Sequence, residues 1–348
     1  MMSDQFLNNM IESKNVQTQM LSRYEENSLI NIDLQARSYA MAINSQNNLL
    51  TVGSGYDIKI FDLTKNQTQN TVQEIKGKKE NVFCLLFLSK NSSCNSFISA
   101  SNKIIIWQEQ GGQWHNQKSL KAEKPTQIKS LVVHPQGDLI ICGSQRNIQF
   151  WFKNLDTHQD ALQNNQQEWV CKQLKYDDTQ GLSINQNGDT LVQCSFSNKI
   201  NVFKGSNRQE WIKIKTIDTK DYGLRLCFIT NDLIAFQERG SRPHDNLYFY
   251  SLNEQNYSMV KVRGGDTSCN SLFPLIYVPS KKLLIDKNGY FVNIIRIEEG
   301  PSQKYELMQY YDFREEYIYG TVSDDGNLLI TWNEKQNQVQ VRRYLAQN

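Results

Sequence analysis

The sequence predicts an all-β fold made of seven similar four-stranded sheets in a closed ring, which is a seven-bladed β-propeller. The first observation behind this prediction is a short apolar run that recurs seven times, about every 42 to 52 residues, the spacing of one blade. The second is that each run is followed within a few residues by a second run, in most cases alternating apolar and polar residues. The third is a set of Gly-containing turns beside the runs. Alternation bounded by turns is typical of half-buried strands.

The recurring runs are the predicted second strands of the blades. They are LLTVGS (49–54), SFISAS (96–101), LIICGS (139–144), LVQCSF (191–196), LIAFQE (233–238), LLIDKN (283–288) and LLITWN (328–333). The predicted third strands favour Ile, Val, Phe, Trp and Tyr. They are DIKIFDL (57–63), KIIIWQE (103–109), NIQFWFK (147–153), KINVFKG (199–205), NLYFYSL (246–252), FVNIIRI (291–297) and QVQVRRY (338–344). Turn pairs such as Asn187-Gly188 and Asp325-Gly326 precede several second strands and supply the positive φ that tight hairpins require.

The last unit supplies only three strands before the chain ends at Asn348. An open sheet edge invites unwanted pairing, so a propeller must close its ring. The segment SLINIDLQ (28–35) lies just upstream of the first strand of blade one and has the pattern of a strand. We therefore expect residues 28–35 to be the outer strand of the last blade, and the propeller to span 27–348.

Residues 1–26 precede this closing strand and have a different pattern. Their apolar residues fall at helical spacing, which predicts a short N-terminal helical extension. One interpretation is a partly ordered tail or a helix packed on the side of the propeller. The other is a helix that docks a partner or self-associates. The docking residues would be Phe6, Leu7, Met10 and Ile11.

The segment VVHPQGDLIICGSQRNIQFW (132–151) has the order of strands and turn of a WD repeat, and other third strands contain Phe61-Asp62 or Trp107. From about residue 28 to its end, the chain resembles a WD40-type (WD-repeat) propeller. It departs from the family because the Gly-His pair near the start of each repeat is absent. The resemblance implies a non-catalytic scaffold for protein–protein interactions, with subunits of a multiprotein complex as partners. It also implies an intracellular assembly, with the cilium or cytoskeleton as its setting.

Composition restricts the class of protein. The formal net charge is +2, so bulk electrostatic attraction gives no reason to expect DNA as a partner. The seven cysteines are scattered and odd in number, which favours a reducing, cytoplasmic location. No apolar run approaches the ~20 residues that span a bilayer, and the N-terminus lacks a secretory pattern. Roughly one residue in five is Asn or Gln, spread along the whole chain.

The sequence contains no recognisable catalytic motif. The four histidines, at 115, 134, 158 and 244, have neither zinc-ligand nor metalloprotease spacing. We therefore predict no catalytic residue, metal, cofactor or small-molecule substrate. The alternative is a propeller enzyme, whose His, Asp and Glu side chains would converge in the central channel from several blades.

The candidate binding site is the turn ERGSRPHD (238–245), which lengthens the link between the second and third strands of blade five. A long loop within a regular repeat commonly has a function beyond joining strands. By analogy with WD repeats, such turns lie on the face that binds partners, although this one could instead be a solvated loop. A further alternative is binding of RNA or phosphoinositide, which requires one continuous basic patch. The predicted contact residues are Arg239, Arg242 and His244, beside Arg146 and Lys287 from equivalent turns.

Overall fold

The computed structural model describes residues 22–346 except 35, 66–70, 78–79, 89–94, 122–126, 155–168, 176–177, 240–243, 255, 268, 270–272 and 299–302, with residues 27–31 described by their backbone alone. The described residues form strands joined by turns, without a helix. The predicted all-β class is therefore confirmed. The helical extension is not supported, because residues 1–21, including Phe6, Leu7, Met10 and Ile11, lie outside the described residues.

The described chain forms 28 strands. In chain order they are β1 (Arg23–Asp33), β2 (Ser38–Ile43), β3 (Leu49–Ser54), β4 (Asp57–Asp62), β5 (Thr71–Ile75), β6 (Cys84–Leu88), β7 (Ser96–Ala100), β8 (Ile104–Gln110), β9 (Gln113–Leu120), β10 (Ile128–Val133), β11 (Leu139–Ser144), β12 (Ile148–Lys153), β13 (Trp169–Lys175), β14 (Gly181–Ile184), β15 (Thr190–Cys194), β16 (Lys199–Lys204), β17 (Ile212–Asp218), β18 (Gly223–Phe228), β19 (Leu233–Glu238), β20 (Asn246–Ser251), β21 (Tyr257–Lys261), β22 (Ile276–Val278), β23 (Leu283–Asn288), β24 (Phe291–Glu298), β25 (Lys304–Asp312), β26 (Ile318–Val322), β27 (Leu328–Asn333) and β28 (Gln338–Leu345).

These strands form seven antiparallel four-stranded sheets, so the seven-bladed propeller is confirmed. In blades one to six, four consecutive strands lie side by side, beginning with β2–β5 and ending with β22–β25. Blade seven has the order β26, β27, β28 and then β1 from the other end of the chain. The first strand of each blade lines the central channel, and the fourth lies at the rim.

The ring closes through β1, which pairs with β28 from Arg23 opposite Leu345 to Asp33 opposite Gln338. The expected closing strand covered residues 28–35, whereas the observed strand covers residues 23–33. Residues 23–26 therefore belong to the propeller sheet and not to an N-terminal extension. The reason is Tyr24, which is 1% exposed and donates its hydroxyl hydrogen to the Gly326 carbonyl at 2.8 Å.

The hydrophobic core is divided into clusters that lie between neighbouring blades. One cluster joins Ile98 and Ile106 of blade two to Ile140 and Trp151 of blade three. Trp151 is 6% exposed, and its indole N–H donates to the Gln149 side-chain oxygen at 3.1 Å. Every residue of the second strand is buried in blades three, six and seven. The second strands are therefore packed on both faces, as their continuous apolar runs require.

Asparagine side chains close the turns between the first and second strands of two blades. The Asn44 side-chain oxygen accepts hydrogen bonds from the backbone N–H groups of Asn48 at 3.1 Å and Leu49 at 2.9 Å. Asn185 makes the same pair of bonds in blade four, to Asp189 and Thr190. Asn side chains that bond nearby backbone groups stabilise turns. Part of the amide-rich composition therefore has a structural role.

Glutamine side chains connect the outer edges of neighbouring blades. In each case the amide accepts from a backbone N–H and donates to the C=O of the same aromatic residue, which imitates the pairing of a strand neighbour. The pairs are Gln73 with Trp114, Gln173 with Trp211 and Gln309 with Tyr24. For Gln173 the two distances are 3.0 Å from Trp211 N and 2.8 Å to Trp211 O. The Gln173 bonds satisfy the backbone N–H and C=O of Trp211, a residue with no exposed surface.

We expect the Gln173→Ala variant to lose about 1–3 kcal/mol of unfolding free energy, because two partly buried backbone groups lose their partners. Denaturant unfolding measures this change. Gln209→Ala is the matched control, since Gln209 is exposed and its amide makes no hydrogen bond within the described chain. Equal midpoints for the two variants would show that the contact to Trp211 contributes nothing.

Candidate protein-interaction face

The strand order places two sets of loops at the same end of the ring. Because neighbouring strands are antiparallel, the turn from the second to the third strand lies at the end from which the fourth strand continues to the next blade. We call this end the loop face. In their described parts, its turns are 55–56, 101–103, 145–147, 195–198, 239–245, 289–290 and 334–337, and its connections are 34–37, 76–83, 121–127, 176–180, 219–222, 262–275 and 313–317.

The long turn of blade five lies on the loop face. Arg239 is half-buried, and its backbone N–H donates to the Tyr222 carbonyl. His244 has a side chain that is 12% exposed, with Nε2 at 3.6 Å from Asp221 Oδ2. The His244 backbone also accepts from the Asn288 side chain at 2.6 Å. His244 is therefore held between blades five and six, whereas Arg242 lies outside the described residues.

Lys287 does not project from the loop face as expected. It is the fifth residue of β23, a strand whose six residues are all buried, and its exposed fraction is 0%. The ammonium donates to the Glu316 carbonyl at 2.8 Å and to Cys269 Sγ at 3.2 Å. The turn itself is the Gly289–Tyr290 pair that follows the strand. The expected exposure of Lys287 was wrong because this residue lies in the strand and not in the turn.

Arg146 is exposed on the turn of blade three, as expected. Its turn is shaped by Ser144, whose Oγ accepts from Arg146 N at 3.3 Å and from Asn147 N at 3.2 Å. Blade three is separated from blade five by one blade, so Arg146 does not share a turn or a connection with Arg239. A continuous basic patch that includes Lys287 is ruled out by the burial of that residue.

Lys287 belongs to a buried charged cluster between blades five and six that the sequence did not indicate. Cys269 lies on the long connection 262–275 and accepts from Lys287 Nζ and from Arg225 Nη1, both at 3.2 Å. Arg225 Nε also donates to the Phe273 carbonyl at 2.7 Å. Asp286 accepts from the Asn293 amide at 3.2 Å. The two cations thus tie the connection to the inner strand of blade five and the second strand of blade six.

Burial and charge act in opposite directions on the acids of this cluster. Burial favours the neutral thiol of Cys269, but the Arg225 and Lys287 cations outweigh it and lower the pKa of Cys269. Burial raises the pKa of Asp286 to about 6, against the opposing effect of the same cations. Burial lowers the pKa of Lys287 to about 8. The cluster consequently combines two cations with two acidic groups, which limits the net buried charge.

We expect the Asp286→Asn variant to become more stable relative to wild type as the pH rises from about 4 to about 7. The folded protein keeps the Asp286 proton up to a pKa of about 6, whereas the ordinary pKa is 3.8. Between these values the unfolded state binds fewer protons, so wild-type stability falls as pH rises. Denaturant unfolding at both pH values measures the change, and Asp266→Asn is the control for loss of an exposed carboxyl on the same connection. A difference that is independent of pH would contradict the assignment.

A contact between an exposed Phe and a half-buried Tyr lies beside the blade-five turn. Phe196, on the turn of blade four, is 50% exposed and packs edge-to-face on Tyr222 with ring centres 5.7 Å apart. Tyr222 lies on the connection into blade five and accepts the Arg239 backbone hydrogen bond. The sequence pattern counted Phe196 as the end of a strand, but β15 ends at Cys194. The sequence feature that could have indicated this site is an aromatic residue within a polar turn, SFSN (195–198).

The central channel has a volume of about 740 Å³ and is lined by the first strands of the blades. His134 and Asp324 are among its lining residues, but His134 is buried, with Nε2 at 3.1 Å from the Gly188 carbonyl. In the described part of the chain, no group of three or more His, Cys, Asp or Glu side chains is placed to hold a metal ion. No helix in the described ranges is long and apolar enough to cross a membrane.

Comparison of the chain with protein-family models gives no match, and comparison with curated proteins gives none either.

Proposed function

We propose that this protein is a non-catalytic scaffold of the WD-repeat type that binds other proteins through its loop face. The observation that carries the proposal is the contact between the exposed Phe196 and the half-buried Tyr222, next to Arg239. Aromatic residues and Arg are enriched in the centres of protein interfaces, where they contribute much of the binding energy.

The architecture supports a rigid platform. Seven closed blades carry the loops of this face on a regular structure, and sites of recognition are commonly carried by such loops. The buried cluster holds Cys269, on the connection into blade six, in place, and the contact with Asn288 does the same for His244 of the blade-five turn. A pre-ordered surface loses less conformational entropy when a partner binds.

The proposal includes the setting that the WD-repeat resemblance implies. The scaffold would belong to a multiprotein assembly inside the cell, and ciliary or cytoskeletal assemblies are the setting we propose. The support for this part is the resemblance of the repeats, because large assemblies of these kinds contain many such propellers.

The test is affinity purification of the tagged full chain from native cells. We expect the double variant Phe196→Ala with Arg239→Ala to lose one or more partners, since interface anchors contribute roughly 1–2 kcal/mol or more each. The matched control is Leu345→Ala with Arg208→Ala, which removes one apolar and one Arg side chain at the opposite end of the ring. Recovery of every wild-type partner by the Phe196/Arg239 variant would contradict the use of this surface.

A further inference from the structure

Three inner strands, β2, β10 and β18, are bulged where they enter the channel from the loop face. In β10, Ile128 pairs with Ser144 and Ser130 with Gly143, so Lys129 has no residue opposite it. In β2 the register shifts between Ser38 and Met41, an interval that contains Tyr39. A bulge re-aims the side chain of the extra residue. Lys129 and Tyr39 both line the channel.

Lys129 lies over one ring of an aromatic series at this mouth of the channel. Its ammonium lies 5.3 Å from the centre of the Phe83 ring. The Phe83 ring is in turn 5.4 Å from the Tyr39 ring, and the Tyr39 ring is 5.4 Å from Tyr319. The mouth therefore combines an aromatic wall with the Lys129 ammonium, whereas the Arg37 guanidinium over the Tyr39 ring is already paired with Glu334.

The charge of Lys129 is not balanced within the described chain. It is half-buried, and no carboxylate of the described residues forms an ion pair with it. Its titratable neighbour is Cys84, and burial raises the pKa of Cys84 to about 12, so that thiol supplies no negative charge. Burial also lowers the pKa of Lys129 itself, which is the effect of removing an ammonium from water without an anion beside it.

The fully buried cations of the described chain are different in this respect. Arg225 and Lys287 share the Cys269 sulfur and each also donates to a carbonyl. Arg342 donates to Thr331 Oγ1 at 2.6 Å and to Gln340 Oε1 at 2.7 Å. Buried charges are normally paired or hydrogen-bonded because desolvation is costly. Half-buried Lys129 thus has the environment of a cation whose partner lies outside the described part of the chain.

We infer that the loop-face mouth of the channel binds an organic carboxylate, whose charge pairs with Lys129 and whose apolar or aromatic body packs on Phe83 and Tyr39. A single ammonium suits a carboxylate better than a phosphate, because phosphate sites supply several donors around the anion. The channel volume of about 740 Å³ is within the range of small-molecule sites. The inference does not depend on the scaffold role.

Ligand-observed NMR titration tests the inference with benzoate and with benzamide, its neutral analogue of similar shape. We expect the wild-type chain to bind benzoate more tightly than benzamide. Lys129→Met should weaken benzoate binding by about tenfold or more and leave benzamide binding unchanged, because it removes the charge and keeps the apolar chain. The matched control is Lys213→Met, since Lys213 is exposed on the outer strand of blade four.

The inference is overturned if benzoate does not bind, if benzamide binds as tightly, or if Lys129→Met binds benzoate like wild type. A thermal melt of each variant checks folding, and Lys129→Gln replaces the Met variant if that chain does not fold. A second arm compares benzoate with an end-blocked Phe-Glu dipeptide. Tighter binding of the dipeptide indicates that the carboxylate comes from an acidic side chain of a partner, and tighter binding of benzoate indicates a free small molecule.

Discussion

Removal of residues 1–36 is expected to abolish the cooperative unfolding transition of the propeller. The deletion takes away all of β1 and leaves β28 as an open edge in blade seven. It also removes the buried side chains of Tyr24, Ile32 and Leu34. Each contributes roughly 1.5–3 kcal/mol by burial, and their sum is comparable to the ~5–15 kcal/mol stability of a whole domain.

The control for this experiment is the deletion of residues 1–21, which keeps the whole of β1. Thermal unfolding followed by circular dichroism should show nearly the wild-type transition for this shorter deletion. A deletion that ends at residue 24 is not a neutral control. The Tyr24 backbone is hydrogen-bonded to the Gln309 amide, and the Tyr24 hydroxyl donates to the Gly326 carbonyl. If the chain lacking residues 1–36 melted like the full chain, closure by β1 would not contribute to stability.

The Trp151→Ala variant is expected to lose about 3–5 kcal/mol of unfolding free energy, the usual cost of truncating a buried Trp. Trp151 packs between blades two and three with Ile98, Ile106 and Ile140, and neighbouring sheets cannot close the cavity without shifting against each other. Denaturant unfolding measures the loss. Tyr56→Ala is the control, since Tyr56 is 52% exposed on the loop face. A loss below ~1 kcal/mol for Trp151→Ala would mean that the cavity collapses.

The strands were predictable because their signal is local. Burial of both faces selects continuous apolar runs such as Leu139–Ser144, and a turn follows wherever a Gly or Asn accepts positive φ. The blade count follows from repetition of that local signal. The start of the closing strand was not predictable in the same way, because RYEEN (23–27) reads as polar and Tyr24 is buried only by contacts with blades six and seven.

The candidate sites depended on information that the sequence pattern does not contain. The sequence pattern predicted Lys287 in a turn. Its strand instead continues past it, and its ammonium donates hydrogen bonds to Cys269 Sγ and the Glu316 carbonyl. These three residues come from a strand and two separate connections. Phe196 and Tyr222 likewise come from different blades, and their contact exists only in the assembled ring.

The order of apolar and turn residues was sufficient to determine the class of fold, the number of blades and the presence of a closing strand near the N-terminus. Each of these properties depends on periodicity within one segment and on the need to cover a sheet edge. Only the tertiary structure decided which charges are buried, which aromatic residues are exposed, and that Lys129 lines the channel without an ion pair to any described residue. Those properties depend on distances between segments far apart in the chain, and a local pattern does not encode such distances.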